Sequence, residues 1–297
     1  MRTQYWRSAP KRQEKLRETP WRVWHDCVVP PVVVAHRGAS AHRAEHTLAS
    51  YDLAIQQGAE ALECDVRLTR DGHLVCVHDR RVDRTSTGRG VVSELTLERM
   101  AELDYGRWHD ELPESADDLL AERVTGGSSD PAARTLMTLD ALLGLVADNP
   151  GTKLFVETKH PVRYSGIVEA ELVALLSKHG FAEPASSGES IVFAMSFSSA
   201  AMRRMRHYAP RVPTVLLVRQ LSAARREGSL PRWADITGPG IRLLRVDPGY
   251  VARAAAHGND TYCWTVDDPA DIELCARLGV HYIATNSPVT TRKLLGG

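Results

Sequence analysis

The chain lacks most of the features that would assign it to a class at sight. Its 37 Lys and Arg are balanced by 37 Asp and Glu, so there is no surplus charge to grip nucleic acid or an acidic membrane. Cysteine is scarce. The 5 thiols (Cys27, Cys64, Cys76, Cys263 and Cys275) are odd in number and scattered, with no C-x-x-C pair. That argues against a disulfide framework or a zinc site and for a reducing compartment. Long apolar runs are missing too: the longest near the N-terminus, residues 27–35, is interrupted by Pro30 and Pro31 and is too short to span a bilayer. No basic segment followed by an apolar one marks a leader. A soluble, cytoplasmic protein with no transmembrane segment is expected, its oligomeric state open. No G-x-G-x-x-G or G-x-x-x-x-G-K-[ST] follows any strand-like run, which removes the main support for nucleotide binding.

What is present is ordinary globular material, 43% hydrophobic and 25% charged over 297 residues. This length suits two average domains or one α/β barrel of about 250 residues. Residues 1–30 stand apart. Arg2, Arg7, Lys11, Arg12, Lys15 and Arg17 outweigh Glu14 and Glu18, with Trp6, Trp21 and Trp24 interleaved. Without an apolar stripe, this reads as an arm packing its tryptophans on the main body rather than as a lipid-binding helix.

From residue 32 onward, short β-branched runs alternate with amphipathic segments. Strands are expected at 32–35, 60–67, 153–158, 190–195, 213–218, 241–246, 260–266 and 281–284. Helices are expected at 47–57, 138–147, 165–179, 198–208, 248–257 and 268–278, with Gly58, Gly180, Gly258 and Gly279 after helical runs, where a left-handed cap wants glycine. Alternation of this kind implies parallel strands joined by helical crossovers, and the strand count favours a closed (β/α)8 TIM barrel over residues 31–297. Asp71-Gly72 between alternating residues signals a hairpin. With a two-residue loop, Arg70 faces His73 and Asp65 faces His78. The polar stretch 106–134, rich in glycine and serine at 126–129, reads as an excursion over the barrel mouth, within a small insertion at about 79–137.

Chemistry-bearing residues fall at strand ends, where this architecture builds its sites. His36-Arg37-Gly38 follows the first strand: a possible proton carrier, a forked phosphate ligand and a residue that turns sharply. Glu63 and Asp65, two apart on the second strand, leave the same face. Glu157 and Lys159 repeat that spacing on the third barrel strand. Three acids offer only oxygen ligands, which suits Mg2+ or Ca2+ better than Zn2+, and Lys159 supplies a point charge for phosphate. The hairpin brings His78 beside the carboxylates, so two histidines from separate segments flank a cation site. The set suits phosphoryl transfer, one His taking a proton and the other giving one.

At these residues the chain resembles the glycerophosphodiester phosphodiesterase family. His36-Arg37-Gly38-Ala39-Ser40, Glu45-His46-Thr47, Glu63-Cys64-Asp65-Val66, Val77-His78-Asp79, Glu157-Thr158-Lys159 and Trp264-Thr265-Val266-Asp267 occur in the family's order. The resemblance implies a TIM barrel that hydrolyses glycerophosphodiesters to sn-glycerol 3-phosphate and an alcohol. It also implies His36 and His78 as acid and base, a divalent cation on Glu63, Asp65 and Glu157, and Arg37 and Lys159 on the phosphate. Trp264 would wall the glycerol pocket. Four positions depart from the pattern: Ala44 and His46 stand where the family usually has Pro and Asn, Asn286 where it has Asp, and Ser198 where Asp often follows Ser-Phe. A phospholipase-D-like lyase acting on a lysophospholipid, and a silent phosphoester-binding protein, are the competing readings. The lyases are often secreted with a disulfide, and mere binding needs no pair of proton-transfer groups.

Overall fold

The computed structural model describes residues 30–110, 130–163, 166–222 and 225–296. The tryptophan-bearing arm, Cys27 and the Gly126–Ser129 stretch lie outside these residues.

Among the described residues nine strands run in chain order as β1 (Val32–His36), β2 (Ala61–Leu68), β3 (Leu74–Cys76), β4 (Lys153–Thr158), β5 (Val192–Ser196), β6 (Thr214–Val218), β7 (Ile236–Pro239), β8 (Asp260–Cys263) and β9 (Tyr282–Thr285). All but β3 are parallel, and β1 pairs with both β2 and β9, so the sheet closes into an eight-stranded barrel. Helices return the chain between most of the strands, and several begin where a side-chain oxygen takes an otherwise unpaired backbone N–H. Thr47, Thr138, Ser198 and Asp268 do this for the helices Leu48–Gln56, Leu139–Asp148, Ser199–Tyr208 and Pro269–Leu278. Ser198 thus replaces the usual Asp with another good cap. Gly58, Gly180, Gly258 and Gly279 all have positive φ, as expected of residues that stop helices.

Strand alternation sorts the apolar residues into two cores. Leu62, Cys64, Leu154, Val156 and Ala194 point outward to the helices. Val34, Phe155, Phe193, Val215, Tyr262 and Tyr282 fill the barrel. Aromatics are only 6% of the chain, yet they concentrate here: Phe155 stacks on Phe193 at 4.5 Å and meets Tyr262 at 5.0 Å and Tyr282 at 5.1 Å. This plug is the floor on which the site is built.

Two expectations are corrected. Residues 241–246 form a helix (Ile241–Val246), and the strand is β7, just before it. Ile-Arg-Leu-Leu-Arg-Val reads as extended because its apolar residues are dense, but Ile241 and Leu244 lie three apart on one buried helical face. The hairpin register is also shifted by one: Leu68 faces Leu74 and Val66 faces Cys76. Asp71 does not sit in a two-residue turn because its carboxylate is engaged elsewhere. It accepts from Thr69 Oγ1 at 2.7 Å and from the Leu97 N–H at 3.0 Å, while Thr69 Oγ1 takes the His73 N–H at 2.9 Å. Asp65 therefore faces Val77, whose N–H donates to its carbonyl at 3.0 Å. β3 occupies the edge of β2 that β1 leaves at His36, so His78 still arrives at the mouth.

Candidate active site at the barrel mouth

Register does most of the positioning. His36 is level with Glu63 across β1 and β2, and Asp65 is level with Glu157 across β2 and β4. Glu63, Asp65 and Glu157 accordingly point inward near the mouth, and each offers an oxygen within 4.8 Å of the others. Past the end of β1 the chain turns through Arg37 and Gly38, with φ of 62° and 84°. Left-handed backbone is costly for Arg; the Arg37 N–H is held there by Glu63 Oε2 at 3.0 Å. Gly38 admits no side chain, since a Cβ would lie 2.3 Å from Ser50 Oγ.

A cavity of about 90 Å3 opens above the acids, lined by His36, Arg37, Glu63, His78, Glu157 and Lys159. Phe197, Arg219, Trp264 and Thr265 complete its wall, and Met195, Leu217 and Tyr262 lie beneath. All the residues expected from the sequence except Asp65 therefore line one pocket, and Asp65 is bound to its cations. Lys159 Nζ sits 3.0 Å from Asp65 Oδ1 and 2.9 Å from Glu157 Oε1. Arg37 Nε lies 3.0 Å from Asp65 Oδ2, though without hydrogen-bond alignment.

The electrostatics bear on whether the carboxylates could hold a cation. Burial raises Glu63 well above the carboxylate range, reinforced by Asp65. Burial also lifts Glu157 to about 7, again with Asp65 adding to it. Burial would raise Asp65 as well, but a hydrogen bond from His46 and the charges of Arg37 and Lys159 hold it well below its usual range. Lys159 and Arg37 offset part of the charge on these acids, and a bound cation would favour the ionised form of all three. The donor set of buried carboxylate oxygens fits a hard divalent ion. The Tyr262 hydroxyl adds to this fit, for it is buried without a hydrogen-bond partner and feels the charges of Glu63, Glu157 and Asp65.

The departures from the family pattern are accommodated. His46 keeps the contact expected of a neighbour of the acids: Nε2 meets Asp65 Oδ2 at 3.1 Å and Nδ1 meets Tyr51 Oη at 2.8 Å. Asn286 receives His36 Nδ1–H on its carboxamide oxygen at 2.8 Å. Burial, together with Arg37, draws the His36 pKa down to about 3. His78 Nδ1 lies 2.7 Å from Asp79 Oδ1, and burial again lowers its pKa. Sequence reasoning missed Arg219 and Tyr262 as pocket residues. Arg219 directly follows β6 and rests on the Phe197 ring at 4.6 Å, while Tyr262 shares a strand face with Trp264. Position at a strand end and same-face spacing could have found both.

Paired cations above buried acids, with imidazoles to either side, belong to enzymes that handle phosphate esters. The model of the glycerophosphoryl diester phosphodiesterase family matches residues 36–290, and the chain belongs to that family. It is 50% identical over 275 residues to a probable glycerophosphodiester phosphodiesterase 1 of Mycobacterium tuberculosis, covering 92% of this chain and 96% of the relative. A glycerophosphodiester phosphodiesterase of Bacillus subtilis is 31% identical, covering 90% and 87%. Among solved structures, a glycerophosphodiester phosphodiesterase from Agrobacterium tumefaciens aligns with TM-score 0.69 at 25% identity, covering 89% and 99%. An Oleispira antarctica phosphodiesterase in complex with sn-glycerol-3-phosphate shares the fold, with TM-score 0.75 at 23% identity and coverage of 90% and 98%.

Proposed function

We propose that the protein hydrolyses glycerophosphodiesters to sn-glycerol 3-phosphate and an alcohol, using His36 and His78 as its proton-transfer pair. The observation that carries this reading is the convergence of both imidazoles, Arg37 and Lys159 on one pocket over the acid cluster.

Glu63, Asp65 and Glu157 would hold a divalent cation, Mg2+ or Ca2+, which would supply Lewis-acid polarisation and charge neutralisation at the phosphoryl group. Arg37 and Lys159 bind the non-bridging oxygens, Arg37 through its planar fork. His36 is the base. The Asn286 oxygen can only accept, so Nδ1 carries the His36 proton and Nε2 keeps its lone pair; the depressed pKa keeps the ring neutral. It takes the proton of the attacking oxygen, either the substrate 2-hydroxyl or water. His78 is the acid: burial lowers its pKa, while Asp65 and the Asp79 contact at Nδ1 pull the other way, toward the imidazolium that protonates the departing alkoxide. Trp264 and Phe197, edge to face at 5.3 Å, wall the glycerol carbons. A reducing, cytoplasmic setting accords with Cys64, Cys76, Cys263 and Cys275, all buried and free. Among the described residues no helix is long and apolar enough to cross a membrane. The division into an arm over residues 1–30 and a barrel over 31–297, with an insertion at about 79–137, belongs to the same reading.

The test is turnover of glycerophosphocholine by the purified protein after EDTA treatment and then on back-titration with Mg2+ or Ca2+. Loss and recovery of activity support the reading; undiminished activity in EDTA contradicts the cation.

A further inference from the structure

Among the described residues, the Lys and Arg side chains lining the pocket over the acids are Arg37, Lys159 and Arg219. Two are already paired: Arg37 lies beside Glu45 and Asp65, and Lys159 beside Asp65 and Glu157. Arg219 pairs with no described carboxylate and donates to no described acceptor. Its contact is the Phe197 ring, whose centroid lies 4.6 Å from the guanidinium carbon. Leu217 and Arg219 stand two apart at the end of β6 and share a face. Leu217 lies beneath the pocket, and Arg219 is exposed at its rim. The ring thus restrains a group whose N–H donors are left for a ligand.

The same contact governs what can pass the rim. Phe197 meets Trp264 edge to face at 5.3 Å, and Trp264 is fixed by its Nε1–H, which donates to the Gly238 carbonyl at 2.8 Å. These two rings are the apolar wall at the mouth, and Arg219 sets a charge over one of them. On the opposite flank a cavity of about 340 Å3 shares His36 and Arg37 with the pocket and is lined by Ser40, Glu45, Asp267 and Asn286. That flank is polar as well. The pocket itself, about 90 Å3, is far smaller than the cavities that enclose larger ligands, so a long group on the glycerol runs out past the rim.

We propose that Arg219 determines specificity at the glycerol end: it donates to the free primary hydroxyl and selects fully deacylated glycerophosphodiesters against lysophospholipids. This deepens the phosphodiesterase reading and rests on it, and on the glycerol carbons lying against Trp264 and Phe197. A hydroxyl oxygen accepts from the guanidinium. Acylation of that oxygen replaces a compact acceptor with an alkyl chain, which lies against a charge and strips its water without returning a hydrogen bond.

The experiment measures kcat and KM for glycerophosphocholine and for its monohexanoyl ester on the primary hydroxyl, kept below its aggregation concentration, with a saturating divalent cation. Both substrates release choline, so any difference arises at the glycerol end. The proteins are the wild type, Arg219→Leu and Arg219→Lys, each checked for an unchanged thermal midpoint. The wild type should favour glycerophosphocholine. Arg219→Leu should raise KM for glycerophosphocholine by about tenfold or more, the cost of one hydrogen bond from a charged donor, with the loss in KM rather than in kcat. Its kcat/KM for the ester should rise. Arg219→Lys, which keeps a charged donor at the rim, should fall between the two. A side chain that merely braces Phe197 would lower turnover of both substrates alike; a ratio unmoved in Arg219→Leu therefore overturns the proposal, as does a wild type that takes both substrates equally. Should Arg219→Leu melt early, Arg219→Met takes its place, with the same ratio deciding. If the wild type turns over neither substrate, the phosphodiesterase reading fails and this proposal with it, an outcome distinct from an unmoved ratio.

Discussion

His36 Nδ1 meets Asn286 Oδ1 at 2.8 Å, and the same carboxamide donates through Nδ2 to Asp267 Oδ2 at 2.6 Å. Asp267 fixes which way the amide faces, and the amide fixes which ring nitrogen of His36 holds the proton. Exchanging the two groups, Asp267→Asn with Asn286→Asp, retains one acid and one amide but puts the charge against the imidazole. An adjacent carboxylate raises a histidine pKa by roughly 1–3 units. The base must be neutral to act, so the acid limb of kcat/KM should move to higher pH in the exchanged protein. A pH profile that does not move would show that His36 is not the base.

Glu63→Gln and Glu157→Gln should weaken divalent-cation binding, because each removes one of three charged oxygen donors. Loss of one ligand should leave activity recoverable at high metal concentration. Titration calorimetry reads the affinity without depending on turnover. Equal affinity in wild type and both variants would contradict the cage.

Arg37→Lys should lower kcat/KM on the order of 100-fold, the usual cost of losing one group that stabilises developing charge. The lysine retains the charge but loses the fork, and with it the link between Asp65 and Glu45. Wild-type kcat/KM in this variant would make Arg37 a structural residue.

Arg84 joins the mouth to the insertion through Glu45 at 2.7 Å and Asp79 at 2.6 Å. Burial works against the charge on both acids, yet hydrogen bonds from Arg84 draw each down to about 2. Both folded pKa values lie below the ordinary ones, so the stabilisation is fully present above about pH 4.5 and is lost as pH falls through 2. Arg84→Ala should cost about 1–2 kcal/mol at pH 7, discounted for the partial exposure of Arg84 and Asp79. Urea unfolding should show the gap narrowing toward pH 3, and a gap independent of pH would contradict it.

The barrel was legible because parallel strands buried on both faces leave dense apolar runs separated by helical periods. β7 escaped notice because Ile236–Pro239 holds one branched apolar residue and two that read as a turn. Gly238 is there because a Cβ would stand 2.7 Å from Leu217, a demand of packing that no local pattern announces. Glu63, Asp65 and Glu157 were legible from two-residue spacing alone. The partners that tune them were not: His46 reaches Asp65, and Asn286 reaches His36, from segments 19 and 250 residues away. His78 was placed in the right company by a hairpin drawn one residue out of register, since the strand edge vacated by β1 accommodates either pairing.

The most direct test of the whole account is phosphorus NMR of glycerophosphocholine turnover in 18O-enriched water with a saturating divalent cation. The account predicts sn-glycerol 3-phosphate as the final phosphorus product, carrying solvent oxygen on phosphorus, with formation suppressed by about 100-fold or more in His36→Ala or His78→Ala. A cyclic phosphate that persists as the end product, or glycerol phosphate without the heavy oxygen, would contradict it.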